Sequence, residues 1–156
     1  MLQTPAGDCF TTSWLTYQED ATESMPAAYR RDDSQKIYIP IILPDLNERY
    51  TALLDTGAPY VVLARNLVAA LGDKLRTTGV KKRLLTRHGP IDGEWGRIEL
   101  ELPAEEGHSL KVDATAFYCD WPDEDCVVLG YMGFLQRIRF GIDSVQCRFY
   151  FGQADE

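Results

Sequence analysis

The chain has 156 residues, enough for one domain or one domain with a short arm, and too few for two of ordinary size. Apolar residues make up 45% and charged residues 26%, so a packed core is within reach and wholesale disorder is not expected. With 16 Lys plus Arg against 24 Asp plus Glu the formal charge is −8, which argues against a surface built for nucleic acid or anionic lipid; both need a positive field.

Residues 1–35 are polar, acidic and weakly patterned, and read as an arm preceding a domain at 36–153. Phe10, Trp14 and Tyr17 are the side chains suited to anchoring it. No apolar signal core follows the N-terminus, which predicts a cytoplasmic protein. The longest apolar runs, 37–43 and 126–135, are far short of a bilayer span. The first of them is rich in β-branched residues and stops at Pro44-Asp45-Leu46-Asn47, a strand followed by a turn. Pro40 cannot donate to a ladder and places that strand at an edge or a bulge. Residues 50–54 and 60–63 read as strands on either side of a tight turn at Asp55-Thr56-Gly57-Ala58.

Leu67, Val68, Leu71 and Leu75 recur at helical spacing and predict a helix over 65–75, weakened at its end by Gly72. Strands follow at 83–85 and 95–102 around a tip at His88-Gly89-Pro90-Ile91-Asp92-Gly93. The alternating stretch 110–118 pairs naturally with 98–102. After an acidic loop come Val127-Val128-Leu129-Gly130, a short helix at 133–138, and a closing hairpin of 139–142 and 146–151 about Asp143-Ser144. Many short strands with one real helix define a mainly β barrel or sandwich.

Chemistry concentrates at one place. Asp55 lies between two apolar strands, where burial of a charge is costly. Thr56 offers a hydroxyl beside it, and Gly57 lets the backbone turn tightly and aim an N–H at the carboxylate. That is the layout of a carboxylate held at the floor of a cleft, although Asp and Gly in a turn are often only a turn. Elsewhere the signals are weaker. Cys9, Cys119, Cys126 and Cys147 form no CxxC pair, and with His88 and His108 the only histidines there is no zinc spacing; neither metal nor cofactor is expected. Reduced thiols are the expectation for this compartment, with a Cys119–Cys126 loop disulfide left open. His108 reads as an exposed turn residue and Asp143 as a hairpin turn, not a second acid. Trp95 is either core or cleft wall. Lys81, Lys82, Arg83 and Arg87 either attract acidic peptides or solubilise a strand.

Leu53-Leu54-Asp55-Thr56-Gly57-Ala58 resembles the active-site loop of the retropepsins, the single-domain aspartic peptidases of retroviral type. Val127-Val128-Leu129-Gly130, roughly seventy residues on, resembles their second signature. Residues 131–140 and the closing Phe149-Tyr150-Phe151-Gly152 look like the bacterial branch, so the resemblance spans about 37–152. It implies a mainly β, retropepsin-like closed barrel with one or two short helices, an Asp-Thr-Gly loop and a flap hairpin. Asp55 would be catalytic, Thr56 would brace the two loops against each other, Gly57 would lie against substrate, Ala58 would complete the active-site loop, and Leu129 and Gly130 would back the loop. Thr86-Arg87-His88-Gly89-Pro90-Ile91 occupies the flap position, though it departs from the Gly-rich retroviral tip and His88 reads equally as a solvated loop residue. Only one Asp-Thr-Gly is present, so a two-carboxylate site requires a homodimer. The implied activity is endopeptidase action on a peptide or protein. The alternative is a dimer that binds peptides or partners without cleaving them. The arm is compatible with a pro-segment or a cover for the cleft.

Overall fold

Along Gly89–Leu102 and Leu110–Cys119 buried positions alternate with exposed ones, as a strand with one face on a core requires; Ile98, Leu100, Leu102, Val112, Ala114 and Ala116 all point inward. A computed structural model describes residues 2–3, 9–10, 13–21, 35–86, 89–119, 121 and 127–154. Its strands, in chain order, are β1 (Leu2–Gln3), β2 (Cys9–Phe10), β3 (Ser13–Thr16), β4 (Gln18–Ala21), β5 (Gln35–Leu43), β6 (Glu48–Asp55) and β7 (Val61–Leu63). Helix α1 (Arg65–Leu71) follows, then β8 (Arg76–Thr86), β9 (Gly89–Leu102), β10 (Leu110–Cys119), β11 (Val127–Gly130), β12 (Ile138–Asp143) and β13 (Arg148–Gln153). No helix among the described residues is long and apolar enough to cross a membrane.

Eight strands form one sheet in the order β4-β5-β6-β11-β7-β10-β9-β8, and a contact of β5 with β9 at Ile42 and Glu101 bends it into a ring. The core inside includes Ile39, Ile41, Leu63, Leu100, Leu129 and Phe134, all fully buried. β12, β13 and β3 form a second sheet, and β1 pairs with β2. The stretch read as a polar arm therefore supplies strands to both main sheets. Leu15 and Tyr17 enter the core, and β3 is stitched to the loop after β9 by Trp14 N–H to Glu106 O (3.1 Å) and Glu105 N–H to Trp14 O (2.9 Å). Burial and a hydrogen bond to Glu19 push the Tyr17 phenol up to about 12.

Several elements differ in extent from expectation, each for a local reason. The helix stops at Leu71, because Gly72 turns out of the α path at φ +50° and a 3-10 turn, Gly72–Lys74, follows. The helix expected at 133–138 shrinks to the 3-10 turn Leu135–Arg137, since Gly133 is held where other backbone crosses it. Pro40 sits in an inner strand, but the pairing of β5 with β4 ends at Tyr38 and the contact with β9 comes only at Ile42. Its missing donor faces that gap. The hairpin tip is shorter than predicted: Gly89 to Gly93 are strand, paired with β8 up to Thr86. Gly93 serves close approach and not a turn, as a side chain there would meet the Tyr118 carbonyl at 2.4 Å.

Candidate active site

Asp55 is the last residue of β6 and lies in register with Gly130, the last residue of the parallel strand β11. The chain turns back at once, with Ala58 N–H bonded to Asp55 O at 3.2 Å, and crosses the end of β11 before entering β7 on its other side. The crossing is tight. A β-carbon on Gly130 would stand 2.3 Å from the Tyr60 carbonyl oxygen and 2.7 Å from that of Ala58. Two hydrogen bonds clamp it, Tyr131 N–H to Ala58 O (2.7 Å) and Gly133 N–H to Pro59 O (2.9 Å). Leu129, fully buried, pairs with Leu54, the residue before Asp55.

The Asp55 carboxylate is half-buried, and its Oδ1 accepts the Gly57 N–H at 2.8 Å. Thr56 and Gly57 are exposed, Ala58 half-buried. One carboxylate oxygen is thus held by backbone while the loop presents its outer surface. A group fixed in this way can accept or relay a proton without first reorganising.

The β8–β9 hairpin packs with this loop on a shared apolar cluster. Val62, Phe117, Cys119 and Val128 form a small buried cluster, against which pack Leu53 and Ala58 from the Asp55 side and Leu84, Ile91 and Trp95 from the hairpin. The Trp95 ring stands edge-on to Tyr60 with centroids 4.0 Å apart and to Phe117 at 5.5 Å, so Trp95 joins the base of the hairpin to the Asp55 loop. Of the residues expected at the tip, Thr86 donates its hydroxyl to Gly89 O at 2.8 Å, Gly89 takes φ +98°, Pro90 is exposed and Ile91 is half-buried. Arg87 and His88 lie outside the described residues. Among the described residues no cluster of His, Cys, Asp and Glu is arranged to hold a metal ion.

The basic residues leading into the tip are engaged or solvated. Arg83 makes two 2.7 Å bonds to Asp92 across the hairpin, and these hold the Asp92 carboxyl below its usual range. Lys82 lies 5.8 Å over the Trp95 ring. With Arg65 and Val68 of α1 and with Glu94 they line a groove of about 930 Å³, on whose wall Asp55 does not appear. His108 is exposed, and Asp143 caps its hairpin by accepting the N–H groups of Val145 (2.9 Å) and Gln146 (3.1 Å).

Two residues that sequence reasoning passed over complete the geometry. Tyr60 contributes backbone to the crossing and its ring to Trp95. Thr115 accepts hydrogen bonds from Arg97 (2.9 Å) and Arg137 (3.0 Å) and donates its own N–H to Gly133 O at 3.0 Å. Neither carries a local sequence signal; only the crossing makes them important.

No protein-family model and no curated protein matches the chain. Among solved structures it is similar to a retropepsin-like aspartic protease from Rickettsia conorii, with 24% identity and a TM-score of 0.50 over 77% of this chain and 91% of that one. The likeness shows the fold: this is a mainly β chain of retropepsin-like architecture, with one short α-helix and its Asp-Thr-Gly on the crossed loop.

Proposed function

We propose that the chain is an aspartic endopeptidase that works as a homodimer, with residues 36–153 as the peptidase domain and a peptide or protein as substrate. Asp55 of each subunit supplies one carboxylate. Two carboxylates facing each other across a two-fold axis share a single proton, because like charges so close cannot both ionise. The ionised member takes a proton from a water molecule, which attacks the peptide carbonyl, while the protonated member polarises the carbonyl oxygen. Collapse of the tetrahedral adduct then expels the amine. Thr56 braces the paired loops, Gly57 and Ala58 border the substrate, and the hairpin from Thr86 to Ile91 closes over it. The chemistry calls for no cofactor.

One observation carries this reading: Asp55, with Oδ1 held 2.8 Å from the Gly57 N–H, stands on a crossed loop whose outer surface is open. The apolar side chains of Leu84, Ile91 and Trp95, packed with Leu53 and Ala58, suit an extended peptide between hairpin and loop. The test is incubation with a mixed peptide library between about pH 4 and 7, comparing the parent chain with Asp55→Asn. Cleavage by the parent that the variant loses supports the peptidase. Binding of peptides by both, with cleavage by neither, points instead to a binding module.

A further inference from the structure

We propose that the groove between α1 and the β8–β9 hairpin docks an acidic stretch of the substrate, away from the bond that is cut. The inference rests on the peptidase reading above and deepens it by naming a substrate class.

Val68 of α1 and Leu75, both half-buried, give the groove apolar lining, and Lys81, Lys82 and Arg83 of β8 add cationic side chains. Its volume of about 930 Å³ is at the upper end of the range for ligand sites. None of Asp55, Thr56, Gly57, Ala58, Leu84 and Ile91 lines it. An occupant therefore leaves the space between hairpin and Asp55 loop to the segment that is cleaved.

The charges in the groove are unevenly matched. Two carboxylates line it, and both are engaged. Asp92 accepts two 2.7 Å bonds from Arg83, and Glu94 Oε1 accepts the Gly79 N–H at 2.9 Å, where β8 bulges between Thr77 and Lys81. The ammonium groups are not matched in return. Lys81 is exposed and, although in register with Glu94, forms no ion pair among the described residues. Lys82 forms none either, and lies over the face of Trp95. This cationic lining belongs to a chain of formal charge −8, so it is a local exception to a field that otherwise repels acids. Charge complementarity thus selects an anionic occupant and confines it to the groove. Exposed ion pairs are weak one at a time, so a single anion gains little here. Several carboxylates on one segment, with an apolar residue among them to meet Val68 and Leu75, suit the lining best.

Fluorescence anisotropy with a labelled peptide of Asp and Glu around a single Leu tests the docking. The full chain carrying Asp55→Asn keeps the peptide uncut. Lys81→Gln with Lys82→Gln should weaken binding by about fivefold or more, as for loss of two exposed pairs. Arg49→Gln with Lys111→Gln removes the same charge outside the groove and should change it less than about twofold. A peptide with Gln in place of every acid should bind more weakly than the acidic one. Should the double lysine variant fail by circular dichroism to fold, Lys81→Gln alone, at an exposed position, takes its place. Binding that is absent, indifferent to the lysines, equally sensitive to the control pair, or no weaker with the Gln peptide overturns the proposal.

Cleavage by the parent separates the two claims. One cleavable sequence is compared with and without an attached acidic stretch. The stretch should lower KM several-fold with kcat little changed, and the lysine variant should lose that advantage. Lysine-dependent docking without Asp55-dependent cleavage keeps the groove as an acidic-peptide site and refutes the peptidase. Asp55-dependent cleavage with a KM indifferent to the acidic stretch does the reverse.

Discussion

Gly130 faces Asp55 across the β6–β11 pairing, and its missing side chain makes room for the backbone that returns from Asp55 to β7. The two residues are therefore one structural unit. A methyl group at position 130 would overlap the Tyr60 carbonyl and amide at 2.3 and 2.5 Å, and backbone cannot give way as a flexible side chain does. Gly130→Ala should lower stability by about 2 kcal/mol through overpacking and shift the Asp55 loop with it. Gly152→Ala is the control, for a β-carbon there meets nothing within 4 Å. Urea unfolding of both variants checks the contrast; equal stabilities would mean that the crossing is looser than described.

Asp55→Asn separates charge from shape. The amide oxygen of Asn can still accept the Gly57 N–H that Asp55 Oδ1 accepts at 2.8 Å, so the turn should survive. What the proposed dyad would lose is its shared proton. Peptide cleavage should fall at least about a hundredfold, as for loss of a positioned acid or base, while the thermal midpoint barely moves. Activity close to that of the parent would remove Asp55 from the chemistry.

Asp113 links acid stability to the barrel wall. Burial pushes its carboxyl up, but hydrogen bonds and charge from Arg97 and Arg76 outweigh this and hold it below the usual range. A carboxyl lowered by folding stabilises the fold when ionised. The contribution is complete above the ordinary carboxylate value near pH 4 and fades as pH falls through the lower folded value. The group is half-exposed, so Asp113→Asn should cost no more than about 1 kcal/mol at pH 7. The gap between variant and parent should be narrower at about pH 3 than at pH 7. Urea midpoints at both pH values decide it; a gap that widens in acid contradicts the assignment.

Much of this was legible in the chain, and what was not has a common cause. Asp55-Thr56-Gly57 and Leu129-Gly130 each sit where local patterning places them, on strand ends, because apolar runs and a Gly turn are local signals. The mainly β architecture followed from the same runs. Gly93 and Gly133, by contrast, resemble turn or helix-end residues in sequence and Gly96 an ordinary strand residue, while the use of all three depends on partners far along the chain. Gly93 makes room for Phe117 and Tyr118, Gly96 for the Tyr118 ring, and Gly133 for Thr115. The pairing of the N-terminal stretch was less legible for the opposite reason. Ser13–Thr16 shows almost no alternation, and what recruits it is the exposed backbone of β13 together with Glu105 and Glu106. Long-range backbone pairing leaves little trace in composition.

Thr115 offers the most distant handle on Asp55. Its hydroxyl is the acceptor shared by the guanidinium groups of Arg97 and Arg137, and Arg137 Nε is already buried without a partner. Its backbone N–H holds Gly133, whose own N–H holds Pro59 in the Asp55 loop. Thr115→Val keeps the shape and removes the acceptor, so two donors lose their bond inside a packed wall, at a cost of about 2 kcal/mol. Thr115→Ser restores the hydroxyl and should recover most of that loss. Val keeps the backbone N–H to Gly133, so if the two guanidinium bonds hold that stretch of β10 and through it Asp55 in place, the Val variant should also lose kcat with little change in KM, because a misplaced carboxylate harms the transition state more than substrate binding. Measuring stability and steady-state kinetics on both variants tests each part. A Val variant that is destabilised but keeps its kcat would confine Thr115 to holding the fold.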